Sequence, residues 1–253
     1  MRIVIDSDAG TVQLSEAGGT TEYPLFSPEA FRVVSRQSLT LGWNLGHWST
    51  FSWMGRKLLQ FPDDVLRLAE LFWRLRPDVI LETGVYDGGS TLLFAALCRL
   101  AGTGRVISIE SEIRPGVREA VQQWGGGVVT LVEGDSASPE AAAIARQAIR
   151  PGERVCVFLD SDHTARHVAA ELCQYGSLVT SGCYLIVADS NIPELAHTPN
   201  GEPHWSSDNP EVAVETFLSG HPEFLRERPP AHFHAGTDFT ELSYFPNTWL
   251  RRI

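Results

Sequence analysis

The sequence predicts an α/β fold in which a doubly wound, mainly parallel seven-stranded sheet carries helices on both faces. From residue 79 to residue 189, five short apolar runs alternate with four segments of helical periodicity. The runs are continuously apolar, as expected of parallel strands that are buried on both faces. Two β-type segments, at 239–245 and 248–253, would close the sheet with antiparallel strands and bring its strand number to seven.

The predicted elements follow one another with short connections. Strands are predicted at 79–82, 105–109, 128–132, 154–159 and 183–187, and helices at 90–101, 115–124, 138–149 and 164–176. A further helix at 209–219 follows a loop rich in Gly and Pro that begins after residue 190. Loops of this length carry function more often than packing.

The first 64 residues are predicted to form an N-terminal hairpin and a helical, aromatic cap, and residues 65–253 to form the ligand-binding domain. Residues 2–14 alternate apolar and polar side chains around a Gly-containing turn, which is typical of a β-hairpin. Gly and Pro residues then predict a loop, and Ser27 is the expected N-cap of a short helix at 29–41.

An aromatic segment at 43–64 comes before the first helix of the ligand-binding domain. Its five large aromatic side chains have no clean periodicity and are Trp43, Trp48, Phe51, Trp53 and Phe61. Such a segment either folds over a ligand or forms a packed cap without ligand contact. A helix is then predicted to start at Pro62 and to end before Pro77.

The composition narrows the class of function. The net charge of −11 argues against a nucleic-acid partner, because phosphate binding needs a basic face. No stretch approaches the roughly 18 apolar residues that a membrane span needs. No signal peptide is visible, so a cytoplasmic location without membrane contact is expected. The four cysteines are spread out in apolar contexts, which predicts buried thiols in a reducing compartment.

The turn after the first parallel strand predicts a ligand site. It reads Glu82-Thr-Gly-Val-Tyr-Asp-Gly-Gly89 and leads into a helix, so backbone N–H groups gather at the carboxyl end of a buried strand. It is neither the dinucleotide Gly pattern nor a P-loop. Glu82 would repel a phosphate but suits a cationic ligand, and S-adenosylmethionine fits. Glu110 lies about 20 residues further on, where an acid binds ribose hydroxyls in the dinucleotide fold.

Acidic residues recur at or just past the ends of five successive predicted strands. They are Glu82, Glu110, Asp135, Asp160 and Asp189. In a doubly wound sheet these ends converge on one edge, so the five acids are expected to meet there. Each one taken alone could instead be a helix N-cap.

A second group of residues predicts the chemistry. Asp160, Asp162 and Asp189 follow neighbouring strands, and oxygen ligands in such positions suit a hard divalent ion such as Mg²⁺. Asp160 and His163 are candidate general bases. The alternative for His163 is an ordinary residue at the start of a helix.

These motifs resemble those of the cephalosporin-hydroxylase-like family of S-adenosylmethionine-dependent O-methyltransferases, which includes rhamnosyl O-methyltransferases. The resemblance extends in order from about residue 26 onward, and any one motif alone would be weak. Its principal stretches are Phe51-Ser-Trp-Met-Gly55, Leu81-Glu-Thr-Gly-Val-Tyr-Asp-Gly-Gly-Ser90, Leu131-Val-Glu-Gly-Asp-Ser136, Leu159-Asp-Ser-Asp-His-Thr164 and Asp208-Asn-Pro210.

The resemblance implies a Rossmann-like class I methyltransferase fold and a set of cofactor contacts. Glu82, Gly84 and Ser90 match the methionine side of the cofactor, and Glu110 matches the ribose carboxylate. Asp135 and Ser136 match the adenine contacts, and Asp160 also borders the cofactor.

The resemblance also implies roles in catalysis and metal binding. Asp160 matches a proposed base, and Asp162 and Asp189 match metal ligands. The chain departs from its relatives at Ala188, where they often place a carboxylate. Water, Ser190 or the substrate could fill that ligand position.

The expected function is methyl transfer from S-adenosylmethionine to a hydroxyl of a sugar or glycosylated natural product, assisted by a divalent metal, as in antibiotic biosynthesis. The alternatives are a hydroxylase subunit, a nicotinamide dehydrogenase and a non-catalytic, cofactor-binding partner protein. The expected partner is a small hydroxyl-bearing molecule. Relatives are often oligomeric, and the N-terminal hairpin is the candidate interface of a homo-oligomer.

Overall fold

The N-terminal residues form a three-stranded antiparallel sheet. Its strands are β1 (Arg2–Asp6), β2 (Thr11–Glu16) and β3 (Gly19–Pro24), paired in that order. The predicted hairpin is present as β1 and β2. The prediction of a loop at β3 is wrong, because β3 pairs with β2 along its whole length while most of its side chains remain exposed.

A helix and a small hairpin lead from this sheet to the main body. Helix α1 (Pro28–Asn44) begins as predicted, with the Ser27 hydroxyl accepting a hydrogen bond from Ala30 N at 3.1 Å. A 3₁₀ turn at His47–Thr50 and the two-residue strands β4 (Ser52–Trp53) and β5 (Arg56–Lys57) follow. Helix α2 (Pro62–Leu75) then starts at the predicted proline.

An open seven-stranded sheet forms the centre of the molecule, and the computed structural model describes residues 1–230, 233 and 242–253. The strands are β6 (Val79–Thr83), β7 (Arg105–Glu110), β8 (Val129–Glu133), β9 (Val155–Leu159), β10 (Tyr184–Val187), β11 (Phe224–Arg226) and β12 (Trp249–Arg252). Their order is β11-β12-β10-β9-β6-β7-β8, and β12 alone runs antiparallel to its two neighbours. The central strands β6 and β9 are completely buried, which explains their uninterrupted apolar sequence.

Helices connect the parallel strands and pack in two groups. They are α3 (Gly89–Ala101), α4 (Val117–Trp124), α5 (Pro139–Gln147), α6 (Ala165–Tyr175), α7 (Ile192–Leu195) and α8 (Pro210–Gly220). Contacts join α2, α3 and α4 in one group and α5, α6 and α8 in the other. None of the helices in the described ranges is long and apolar enough to span a membrane.

The strand that closes the sheet differs from the prediction. Within the predicted segment 239–245, residues 239–241 lie outside the described residues, and 242–245 do not form a strand. The partner of β12 is instead β11, with Leu225 opposite Arg251. The seven-stranded, mainly parallel sheet is confirmed, whereas the division of the chain at residue 64 stays a prediction.

The register of the sheet brings the predicted site residues together. Thr83 of β6 lies opposite Ile109 of β7 on one side and Leu159 of β9 on the other. Gly84, Glu110 and Asp160 each follow one of these three residues. They therefore meet at the carboxyl edge of the sheet, where ligands bind in open α/β folds.

Candidate active site

A cavity of about 680 Å³ opens at the carboxyl edge of the sheet. This volume is in the range of small-molecule sites. The cavity is bounded by the turn after β6, by the segments after β7, β8, β9 and β10, and by aromatic side chains from outside the sheet. Of the residues predicted to bind cofactor or metal, Glu82 alone does not line it.

The turn after β6 is held against β7 by Glu110. Glu110 Oε2 accepts hydrogen bonds from Val85 N at 2.9 Å and Tyr86 N at 2.7 Å, and Oε1 accepts one from Ser111 N at 2.9 Å. Gly84 has a φ of +83°, and a side chain there would overlap the main-chain carbonyl of Asp160. The predicted ribose carboxylate therefore also shapes the turn that it faces.

Glu82 lies beneath the cavity, in the core of the sheet. It is fully buried, and its Oε2 accepts hydrogen bonds from the hydroxyls of Thr91 at 2.5 Å and Ser108 at 2.8 Å. Burial raises the pKa of Glu82 to about 7. Its other oxygen, Oε1, has no hydrogen-bond partner among the described residues. A direct cofactor contact by Glu82 therefore stays a prediction.

The predicted adenine end contains a buried polar network that sequence reasoning missed. Ser136 Oγ and Ser161 Oγ each lie 3.1 Å from His167 Nε2, and Ser161 donates to Glu171 Oε1 at 2.7 Å. The hydrogen bond with Glu171 raises the pKa of His167. Asp135 lines the cavity beside this network and accepts a hydrogen bond from Ala137 N at 2.9 Å. The i, i+4 spacing of His167 and Glu171 on a predicted helix was the available signal.

Three predicted residues form a cluster in the lining of the same cavity. One potential ligand atom each from Asp160, His163 and Asp189 lies within 4.8 Å of the others, and His163 Nε2 is 3.2 Å from Asp189 Oδ2. Burial and then the charge of Asp189 raise the pKa of Asp160 well above its ordinary value. Burial likewise raises the pKa of Asp189. The arrangement can accept a proton or hold a divalent ion.

Asp162 lines the cavity but lies outside this cluster. Its Oδ1 accepts hydrogen bonds from Thr164 N at 2.8 Å and Thr164 Oγ1 at 2.6 Å. Burial alone would raise the pKa of Asp162, but the hydrogen bonds from Thr164, together with the nearby His167 and His163, lower it. The Asp-x-Thr spacing before a helix is the local signal for such a turn. A metal-ligand role for Asp162 stays a prediction.

Two polar residues that the sequence did not single out hold the cluster and its surroundings. Gln60 Nε2 donates to Asp160 Oδ2 at 2.8 Å. Asp64 is fully buried and accepts hydrogen bonds from Ser243 Oγ at 2.5 Å and Tyr244 N at 2.7 Å. Tyr244 lines the cavity, and its buried hydroxyl has no partner in the described part of the chain. The residues in these contacts are 100 to 180 positions apart in the sequence, so no local sequence pattern indicates them.

Aromatic residues from two separate segments line the cavity. Trp43 and Trp48 come from the N-terminal segment, and Trp205 comes from the long loop after β10. The rings of Trp43 and Trp205 meet edge to face, with centroids 5.6 Å apart. Two of the five aromatic residues of the segment therefore line the cavity, and all five pack against the core.

The residues present fit the cofactor and the metal that the sequence predicts. Carboxylates line a cavity large enough for a nucleoside, and they complement a sulfonium and an ammonium group. The partnerless Glu82 Oε1, beside the first turn of α3, is a buried acceptor of the kind an ammonium needs. Asp160, His163 and Asp189 offer two carboxylate oxygens and one imidazole nitrogen to a divalent ion.

Comparison with known proteins covers most of the chain. Residues 45–253 match the family described as Rhamnosyl O-methyltransferase/CmcI. A rhamnosyl O-methyltransferase of Mycobacterium leprae is 32% identical over 161 residues, which cover 59% of this chain and 66% of that protein. One from Mycobacterium tuberculosis is also 32% identical, with 62% of its length covered. The match thus spans less than two thirds of the length of these relatives.

Solved structures show the same fold at low sequence identity. A CmcI structure described as Mg-SAM has a TM-score of 0.52 and 22% identity, covering 81% of this chain and 77% of that one. The SAH-bound methyltransferase PaMTH1 of Podospora anserina has a TM-score of 0.51 and 18% identity, covering 76% and 82%. The class I methyltransferase fold predicted from the sequence is confirmed.

Proposed function

The chain belongs to the rhamnosyl O-methyltransferase/CmcI family, and from this premise we propose that it is an S-adenosylmethionine-dependent O-methyltransferase. The acceptor is a hydroxyl of a sugar or of a glycosylated natural product. One observation carries the proposal. A single cavity is lined both by the carboxylate-held Gly turn and by the Asp160, His163 and Asp189 cluster.

Residues are assigned to the parts of S-adenosylmethionine by their chemistry and their position in the fold. Gly84, Ser90 and the backbone of the turn would bind the methionine part, with Glu82 as a buried acceptor beneath them. Glu110 would bind the ribose hydroxyls, as an acid after the second parallel strand does in dinucleotide folds. Asp135 and Ser136 would bind adenine. Relatives with solved structures are described as SAM- or SAH-bound, which supports this choice of cofactor.

The reactive end must remove a proton from the acceptor and direct its oxygen. When bound, S-adenosylmethionine supplies an electrophilic methyl group on sulfur, and a divalent ion supplies a Lewis acid that lowers the pKa of the acceptor hydroxyl. A His163 tautomer that donates Nε2–H to Asp189 leaves Nδ1 free to take that proton. The acceptor oxygen then forms its bond to the methyl carbon as the carbon–sulfur bond breaks, and S-adenosylhomocysteine leaves. Asp160 is the second candidate base.

Asp160 and Asp189 are the residues that would hold the metal, which is Mg²⁺ in this proposal. Ala188 contributes no ligand atom, and Asp162 could contribute only by releasing Thr164. A structure in the same family is described as containing Mg, which supports the choice of ion. Trp43 and Trp205 would cover the acceptor and exclude water.

Two further properties belong to the same proposal. A cytoplasmic location suits an enzyme whose methyl donor is a cytoplasmic metabolite. Assembly as a homo-oligomer through the three-stranded N-terminal sheet is supported by the open edges of β1 and β3, which pair only with β2 among the described residues.

The proposal is tested in two steps. Isothermal titration calorimetry with S-adenosylmethionine, NAD and Mg²⁺ should show binding of the first and third and none of NAD. A mass-spectrometric screen of sugar nucleotides and glycosylated metabolites should then yield a product heavier by CH₂. Cofactor binding without any product in this screen would favour the non-catalytic partner protein. Absence of S-adenosylmethionine binding would overturn the proposed function.

A further inference from the structure

Acidic residues greatly outnumber basic residues in the lining of the cavity. Among the described residues, those that line it include five Asp or Glu, two His and a single Lys or Arg. That side chain is Lys57, which is also the sole lysine of the whole sequence. The sequence alone gave it no role.

A zwitterionic ligand explains this imbalance. At neutral pH, S-adenosylmethionine carries a sulfonium and an ammonium, which the carboxylates suit, and a carboxylate, which they repel. We propose that the Lys57 ammonium binds the methionine carboxylate of S-adenosylmethionine. This inference rests on the proposed function, since it assigns a partner to one group of the proposed cofactor.

The main chain of Lys57 is fixed beside the turn that would hold the methionine part. Lys57 N donates to Asp87 Oδ2 at 2.7 Å. Arg56 also binds Asp87. Its Nε donates to the Asp87 carbonyl oxygen and its Nη2 donates to Asp87 Oδ1, both at 2.7 Å. Asp87 belongs to the Gly turn itself, so the β4–β5 hairpin and the turn are tied together.

Close main-chain packing places Lys57 at the start of α3. A side chain on Gly89, the first residue of α3, would overlap the carbonyl oxygen of Lys57. The free N–H groups of the first turn of a helix attract anions, and Ser90 adds a hydroxyl beside them. Lys57 is exposed, and its ammonium has no ion-pair partner among the described residues, so its charge is available to a ligand.

Binding measurements with a cofactor analogue test the assignment without any acceptor. Isothermal titration calorimetry would compare S-adenosylmethionine with decarboxylated S-adenosylmethionine, which lacks only the carboxylate. Lys57→Met should raise the Kd for S-adenosylmethionine about fivefold to tenfold, as expected for a partly exposed charge-assisted contact. The same substitution should leave the Kd for the decarboxylated analogue unchanged. Lys57→Arg should retain most of the affinity.

The control is Arg67→Met, which removes the same charge from the surface of α2, where Arg67 pairs with Glu70. It should change neither Kd. Equal losses for both ligands in Lys57→Met, or no loss for either, would overturn the inference and leave the proposed function standing. Failure of the wild-type protein to bind S-adenosylmethionine would overturn both.

Chemical labelling gives an independent readout, because the chain has one lysine. Reductive methylation of the wild-type protein, followed by peptide mass spectrometry, would report the reactivity of Lys57, with the Met1 amine as internal reference. S-adenosylmethionine should slow labelling of Lys57 more than the decarboxylated analogue does. Equal protection by the two ligands would contradict a contact with the carboxylate.

Discussion

His163 Nε2 lies 3.2 Å from Asp189 Oδ2, which joins the segment after β9 to the segment after β10. Asp189 holds a left-handed backbone conformation, with a φ of +58°. For a residue other than Gly this conformation costs about 1 kcal/mol and persists where the surroundings fix it. The pair therefore links an imidazole with a strained, half-buried carboxylate in the lining of the cavity.

Replacing Asp189 should lower turnover without weakening the binding of S-adenosylmethionine. Asp189→Ala removes both the partner of His163 and a potential metal ligand, so we expect turnover to fall by about 10²–10⁴-fold or to vanish. The Kd for S-adenosylmethionine should stay within about twofold, because Asp189 is not among the residues assigned to the cofactor. Initial rates and calorimetry on the same preparation measure both. Full activity in this variant would remove Asp189 from the mechanism.

Glu110 and Glu133 form a matched pair for testing the cofactor end, since they are opposite each other in the register of β7 and β8. Glu110→Gln should weaken S-adenosylmethionine binding by about tenfold or more, because it removes a charge from the ribose position and disturbs the turn at Val85 and Tyr86. Glu133→Gln removes an equal charge from an exposed pair with Arg118 and should have no effect. Equal effects of the two substitutions on the Kd would contradict the assignment of Glu110.

Substitution of two glycines with nearly equal φ distinguishes the cost of backbone strain from the cost of steric overlap. Gly84 and Gly152 have φ values of +83° and +84°, but only at Gly84 would a side chain meet other atoms within 4 Å. Gly152→Ala should lower the free energy of unfolding by about 1–2 kcal/mol. Gly84→Ala should cost about 1–3 kcal/mol more, because it forces two main-chain segments apart. Denaturant unfolding of both variants measures the difference, and equal losses would show that the overlap is relieved without cost.

The buried Asp64 should give stability an unusual dependence on pH. Burial raises the pKa of Asp64 from 3.8 to about 7, so the folded protein keeps a proton that the unfolded chain has already released. Between pH 4 and pH 7 this group makes stability fall as pH rises, with a limiting slope of about 1.4 kcal/mol per pH unit. Asp64→Asn removes the titration. The wild-type free energy of unfolding minus that of the variant should therefore decrease from pH 4 to pH 7 and level off above it.

Urea unfolding at several pH values tests this expectation. The hydrogen bond lost with Ser243 or Tyr244 in Asp64→Asn adds an offset that is the same at every pH. Glu82 titrates in the same direction but is present in both proteins, so its contribution cancels. A difference that stays constant with pH would contradict a raised pKa for Asp64.

Most of the fold could be predicted because buried parallel strands and amphipathic helices carry local patterns. The five parallel strands were predicted to within about two residues, a usual limit for element boundaries. Strand β3 was missed because its side chains are largely exposed and it forms through pairing with β2. Strand β11 has three residues, and its partner β12 lies more than 20 residues further along the chain, so its sequence alone carries no strand signal.

The candidate site could be predicted only where its residues follow strand ends. This rule placed Glu110, Asp160 and Asp189 correctly at one edge of the sheet. It could not find Gln60 or Asp64, because their partners are brought close by the packing of separate segments. Nor could it tell which carboxylate after β9 joins the cluster, since side-chain hydrogen bonds decide that.

The contact between Gly84 and Asp160 is made by main-chain atoms with no side chain between them. The spacing between the turn that would hold the methyl donor and the segment that would remove the proton is therefore independent of side-chain rotamers. The walls that would face the acceptor, such as Trp43 and Trp205, come from other segments. Substrate preference can thus diverge by substitution in those walls while the main-chain spacing between the turn and the Asp160 segment is kept.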